Sequence, residues 1–188
     1  MRKIIAGINM TVDGFCDHTS AVADDELHEH YNDLIRNAGV MIWGRTTFQL
    51  MESFWPSLVK DPSDNKPMDE FAVLIDDLPK IVYSRTLKSV DWNNTTLKNE
   101  LIKEEIEELK RQDGKDIYVG SPSMIVAFSD LGVVDEYQLC IHPVILGSGL
   151  PLFKHLQKKI DLTLVRTKPF ASGAVVHYYR TKGEHHDS

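Results

Sequence analysis

The sequence predicts an α/β fold of three layers, α/β/α, built on a mixed, mostly parallel central sheet with an antiparallel C-terminal edge. Three observations predict it. Short apolar runs alternate with helical patterns up to Gly132, as in chains that lay parallel strands between helices. Several of those runs are apolar at every position, which marks strands covered on both faces. After Gly132 the strand-like runs follow one another with no helix between them, so the last strands pair antiparallel at one edge.

Each element has its own signal. Residues 3–9 (KIIAGIN) are apolar and β-favouring, and Asp13-Gly14 follows as a turn. Residues 24–38 read as a helix. Asp24, Asp25 and Glu26 crowd its first turn, where the helix dipole favours anions. Leu27, Tyr31, Leu34, Ile35 and Ala38 form its apolar stripe, and Gly39 reads as its stop. VMIW (40–43) is a buried strand, and the next helix starts after it with Thr46 or Thr47 as N-cap. Residues 56–68, rich in Pro, Ser, Asp and Asn, read as a surface excursion. FAVLI (71–75) reads as helix and KIVYS (80–84) as strand.

Residues 99–112 carry Leu101, Ile102, Ile106 and Leu109 on one side and Glu and Lys on the other, an amphipathic helix that Gly114 ends. DIYVG (116–120) is a strand, 121–132 a helix, and 134–146 a strand. A glycine-bearing loop (147–153) leads to two closing strands, 161–170 and 174–180, joined through Ala171-Ser172-Gly173.

The 188 residues suit one domain, 1–182, followed by a polar tail, 183–188. A formal charge of −7 argues against nucleic-acid or anionic-membrane partners, and no run approaches the length of a membrane span. Cys16 and Cys140 form no C-x-x-C pair and read as free thiols of a cytoplasmic protein. The eight histidines show no metal-ligand spacing, so no metal is expected. His142, Trp43 and Trp55 read as packing residues.

In such sheets ligands bind at the carboxyl ends of the strands, beside helix N-termini. Three strand ends share one pattern. The first is Gly44-Arg45-Thr46-Thr47, the second Ser84-Arg85, the third Gly120-Ser121-Pro122-Ser123. Each alone is a weak signal, since a Gly followed by Thr or Ser at a strand-to-helix junction is often only a turn and a cap. Together they offer free amides, hydroxyls and two guanidinium groups, which match the pyrophosphate and 2′-phosphate of a dinucleotide. The chain contains neither G-x-G-x-x-G nor the P-loop pattern, so the Rossmann and P-loop nucleotide sites do not apply.

The segments IAGINMTVDGF, WGRTTF and GSPS, with VDEYQLCIHPVILGSGLPLF, resemble the dihydrofolate-reductase-like superfamily over nearly the whole chain. The nearer branch is that of the C-terminal reductase domain of the bifunctional riboflavin-biosynthesis deaminase/reductase. The most specific stretch is 135–153. The resemblance implies NADPH as cofactor, with Gly44, Arg45, Thr46 and Thr47 on the pyrophosphate and 2′-phosphate. It sets Ser84 and Arg85 by the adenosine 2′-phosphate, and Gly120, Ser121, Pro122 and Ser123 under the pyrophosphate. The family usually shows two adjacent glycines where this chain has Gly120-Ser121, so a Ser side chain there either crowds the phosphate or bonds to it.

The reductases place a carboxylate on or near the first long helix to serve the substrate. Asp13, Asp25 and Glu29 are the candidates for a catalytic role here, and each also reads as a turn former or a solvated charge. The implied function is reduction of a small heterocycle, pterin-like or a ribosylated pyrimidine. The alternative is a nucleotide-binding relative without turnover. Homodimers are usual in the resembling domains, and the alternating apolar residues of 135–145 and 160–180 suit a two-fold contact.

Overall fold

The structure is a computed structural model that describes residues 1–20 and 24–182; the polar tail, 183–188, lies outside the described residues. Its eight strands are β1 (Ile4–Thr11), β2 (Ala38–Gly44), β3 (Lys80–Tyr83), β4 (Thr95–Lys98), β5 (Asp116–Val119), β6 (Glu136–His142), β7 (Leu162–Pro169) and β8 (Val175–Thr181). The helices are α1 (Asp25–Arg36), α2 (Arg45–Glu52), α3 (Trp55–Lys60), α4 (Lys66–Asp77), α5 (Lys103–Arg111) and α6 (Pro122–Asp130). The strands form one sheet in the order β4-β3-β2-β5-β1-β6-β8-β7. All neighbours run parallel except at β8, which is antiparallel to both β6 and β7.

Alternation along each central strand feeds two cores. Ile4 and Ala6 of β1, with Val40 and Ile42 of β2, pack under α5 and α6 against Ile106, Ile125 and Phe128. Ile5, Met41 and Trp43 face the other way, onto Leu34, Ile35, Phe71 and Ile75 of α1 and α4. Burying a side chain of this size contributes roughly 1.5–3 kcal/mol. Both faces are therefore apolar, and the sequence shows no alternation in VMIW because neither face is wet.

Four local expectations change. Helix α2 begins at Arg45 with Gly44 as its N-cap, so Thr46 and Thr47 already lie inside the helix and no side chain caps it. The stretch 56–68 is mostly helical. Pro56 and Pro67 sit in the first turns of α3 and α4, where a missing N–H costs nothing, and Asn65 Oδ1 caps α4 by accepting from Met68 N at 3.0 Å. Helix α5 starts at Lys103, and strand β4 precedes it at the sheet edge. Asn37 closes α1, which leaves Gly39 inside β2.

Lys80 of β3 is buried, yet its ammonium is well served. Nζ donates to the carbonyls of Ile75, Asp76 and Leu78 at 2.7–2.9 Å, at the C-terminal end of α4, and lies 4.8 Å from the Trp92 ring centre. A cation at that end of the helix meets the last unpaired carbonyls and the negative end of the dipole.

Candidate functional site

The topology sets the three candidate strand ends side by side. Register pairs Gly44 with Tyr83 across β2 and β3, and Ile42 with Val119 across β2 and β5. Ser84 and Arg85 therefore leave the sheet on one side of Gly44, and Gly120 and Ser121 on the other. Gly44 N donates to Ser121 Oγ at 3.0 Å, a buried bond between the starts of α2 and α6.

That bond settles what the serine of Gly120-Ser121 does. Ser121 is the N-cap of α6, but its hydroxyl does not cap that helix. It is only 1% exposed and its Oγ accepts from Gly44 N, which leaves the hydroxyl its own O–H to donate. The result is two adjacent helices, α2 and α6, whose first-turn amides have no side-chain cap. Such paired N-termini form an anion site in which backbone N–H groups and helix dipoles act together. Gly120 is required by its neighbours, since a Cβ there would stand 2.9 Å from Tyr118 Cε1 and 3.2 Å from Trp43 Nε1.

Arg45, Thr46, Arg85 and Ser123 are exposed, Thr47, Ser84, Gly120 and Pro122 half-buried, and Gly44 buried. Neither arginine has a carboxylate partner among the described residues. Ser84 and Arg85 line an open groove of about 510 Å³ with Lys88 from the turn beyond β3, Lys98 at the end of β4, and Asn99, Glu100 and Glu105 beyond it, Lys98 being paired with Glu105. The residues present suit a phosphorylated dinucleotide: uncapped amides for the pyrophosphate, and free guanidinium groups for a further phosphate.

The three carboxylate candidates lie elsewhere and are already engaged. Asp13 accepts from Thr11 Oγ1 at 2.6 Å and from the amides of Leu146 and Gly147 at 3.2 and 2.7 Å. These bonds pin the loop after β1 to the loop after β6, and they hold its carboxyl below the usual range. An anion so bonded is a poor proton donor. Asp25 accepts from Asn65 Nδ2 at 3.1 Å, and Glu29 pairs with Arg36 at 3.2 Å. Both line an open groove of about 440 Å³ between α1 and the end of β7, with Pro67, Lys168 and Phe170.

A polar cluster that the sequence reading missed sits under α1. Tyr31 OH donates to Asn9 Oδ1 at 2.8 Å, and His142 Nε2 lies 3.0 Å from the same oxygen. Cys140 Sγ is 3.7 Å from His142 Nε2. Burial lowers the imidazole's pKa and raises the Tyr31 phenol well above its ordinary value, so both are neutral near pH 7. Tyr31 had read as one more member of an apolar stripe. The available signal was Asn9, a lone amide in an otherwise apolar strand.

Both cysteines are free, with Cys140 buried and Cys16 half-buried. Among the described residues no three His, Cys, Asp or Glu side chains are grouped to hold a metal ion, and no helix is long and apolar enough to cross a membrane.

This sheet order, with uncapped helix starts at the ends of β2 and β5, is the dihydrofolate-reductase-like fold. Dihydrofolate reductase from Enterococcus faecalis, solved in complex with NADP(H), superposes with a TM-score of 0.61 over 96% of this chain and 96% of that one, at 11% identity. A putative riboflavin biosynthesis protein from Shewanella sp. PV-4 superposes with a TM-score of 0.74 over 96% and 99% of the two chains, at 18% identity. Within this fold the chain belongs to the RibD C-terminal domain family, which matches residues 2–176. It is 36% identical over 186 residues to the uncharacterized protein YyaP of Bacillus subtilis (strain 168), covering 97% of this chain and 96% of that protein.

Proposed function

We propose that this chain is an NADPH-dependent reductase of a small heterocycle, a pyrimidine or a pterin-like ring. The observation that carries the reading is the bond from Gly44 N to Ser121 Oγ, which brings two uncapped helix starts together beside Arg45 and Arg85, neither of which has a carboxylate partner among the described residues. Family membership and a structural relative that holds NADP(H) support it.

In this reading the amides at the starts of α2 and α6 hold the pyrophosphate. Arg45 or Arg85 meets the 2′-phosphate, with Ser84 beside it. The bound cofactor supplies a hydride, and the protein's share is to bind, orient and exclude water. The test is the affinity for NADPH against NADH, read by fluorescence titration. Wild type favours NADPH. Arg45→Ala and Arg85→Ala together lower that preference at least tenfold, the loss of about 1.4 kcal/mol expected when a charge-assisted bond goes. An unchanged ratio overturns the phosphate assignment.

The engagement of Asp13, Asp25 and Glu29 in other bonds favours a second reading, a nucleotide binder without turnover. NADPH bound tightly but never consumed with any of a panel of pyrimidines and pterins supports that alternative. Self-association belongs to the proposal as well. Leu164 and Val165 are exposed on β7, the outermost strand, and elution of the protein as a 21.4 kDa monomer contradicts it.

A further inference from the structure

Strand β1 runs past its neighbour. Its last pairing with β5 is Ala6 with Val119, while its pairing with β6 continues to Thr11. Asn9 therefore lies beyond the last pairing of β1 with β5, on the carboxyl side of the sheet where the strand order reverses. Its side chain is on the α1 face, since Ile8 and Met10 pack into the opposite core. In open α/β sheets this is where a ligand's reacting end is held.

The Asn9 amide is locked in one orientation. Tyr31 OH finds its acceptor in Asn9 Oδ1 and makes no other hydrogen bond among the described residues. His142 is 1% exposed, and its Nδ1 is buried with no partner. A neutral imidazole carries one N–H. With that proton on Nε2 it donates to Asn9 Oδ1 at 3.0 Å, and the buried Nδ1 is left as an unprotonated acceptor. The flipped amide would strip the Tyr31 hydroxyl of its acceptor and put a buried N–H at Nδ1 with none. Two donors on one oxygen thus leave Asn9 Nδ2, which has no hydrogen-bond partner among the described residues and is not buried, to present its two N–H groups outward.

We propose that Asn9 is the specificity-determining contact for the substrate ring, and that it selects a ring presenting a lone pair, a carbonyl oxygen or an unprotonated ring nitrogen, over one presenting an amino group or a protonated nitrogen. Tyr31 and His142 are positioning residues that fix the amide. The proposal rests on the reductase reading for the ligand's class, but its chemistry is that of the amide alone. A carboxylate in this place would select the opposite kind of ring edge.

The experiment titrates uracil, which offers carbonyl acceptors, and benzamidinium, whose polar edge offers only N–H donors, into full-length protein followed by NMR, with and without saturating NADPH. Asn9→Asp keeps both inward bonds and turns the outward donors into an acceptor. Wild type binds uracil in preference, Asn9→Asp reverses the ratio of the two affinities by at least tenfold, and Tyr31→Phe brings the ratio toward one by freeing the amide to turn. A ratio unchanged by Asn9→Asp, or no binding of either ring in either state, overturns the assignment. NADPH affinity, read in the same samples, is independent of Asn9. Its absence defeats the cofactor reading, while the two-ring ratio still judges this one.

Discussion

His30 of α1 is 7% exposed, with its ring 5.6 Å from that of Phe170 and 6.3 Å from that of Tyr178. Burial, then the nearby charges of Lys168 and Arg166, push its pKa down from 6.5 to about 4, with Asp33 opposing weakly. The folded state takes up this proton later than the unfolded chain does, so between those two values the unfolded chain holds more protons. Stability therefore falls as pH drops from about 6.5 toward about 4, and the loss levels off below that. At about 1.4 kcal/mol for each tenfold ratio, going from pH 7 to pH 5 costs about 2 kcal/mol from this residue alone. His30→Phe keeps an aromatic ring in the site and removes the proton. Urea unfolding at pH 7 and at pH 5 gives the measure. The wild type should lose about 2 kcal/mol more than the variant over that interval. His142 is lowered in the same direction and remains in both proteins, so it cancels in the comparison. Equal losses in the two proteins would show that His30 is not held neutral, and the account of this packing would be wrong.

Two further outcomes follow from single bonds. Ser121→Ala leaves the buried Gly44 amide without its acceptor, which lowers unfolding free energy by about 1–3 kcal/mol in denaturant titration and weakens NADPH binding by loosening the two helix starts. Lys80→Met strands three carbonyls at the end of α4. A loss of about 2–4 kcal/mol is expected, with faster amide exchange over Lys66–Asp77, and a stability within experimental error of wild type would mean that water serves those carbonyls as well.

How much of this was legible in the sequence depended on the distance over which the cause acts. Strands β1, β2 and β5 are apolar at nearly every position because both faces are covered, and that signal is local. Strand β4, Thr95-Thr96-Leu97-Lys98, lies at the sheet edge with no buried residue, and its strand character comes only from pairing with β3. The prolines of 56–68 looked like breakers because only the structure shows them in first turns.

The same divide runs through the site. Gly44, Arg45, Ser84, Arg85, Gly120 and Ser121 could be picked out because a strand end, a glycine and a hydroxyl stand next to one another in the chain. The partner of Asn9 could not, since His142 is 133 residues away and the two meet only through the register of β1 and β6. The direction of the Ser121 hydroxyl was equally hidden, because its acceptor role needs β2 laid beside β5.

The link from Gly44 to Ser121 spans 77 positions. A nascent chain thus cannot complete the proposed nucleotide seat until its second third has been made and the middle of the sheet has closed. Once closed, a dinucleotide bound as proposed would act as a brace across that seam: it would make separation of β2 from β5 costlier, so saturating NADPH should slow proteolysis in the middle of the sheet more than at β7, which is at the sheet edge.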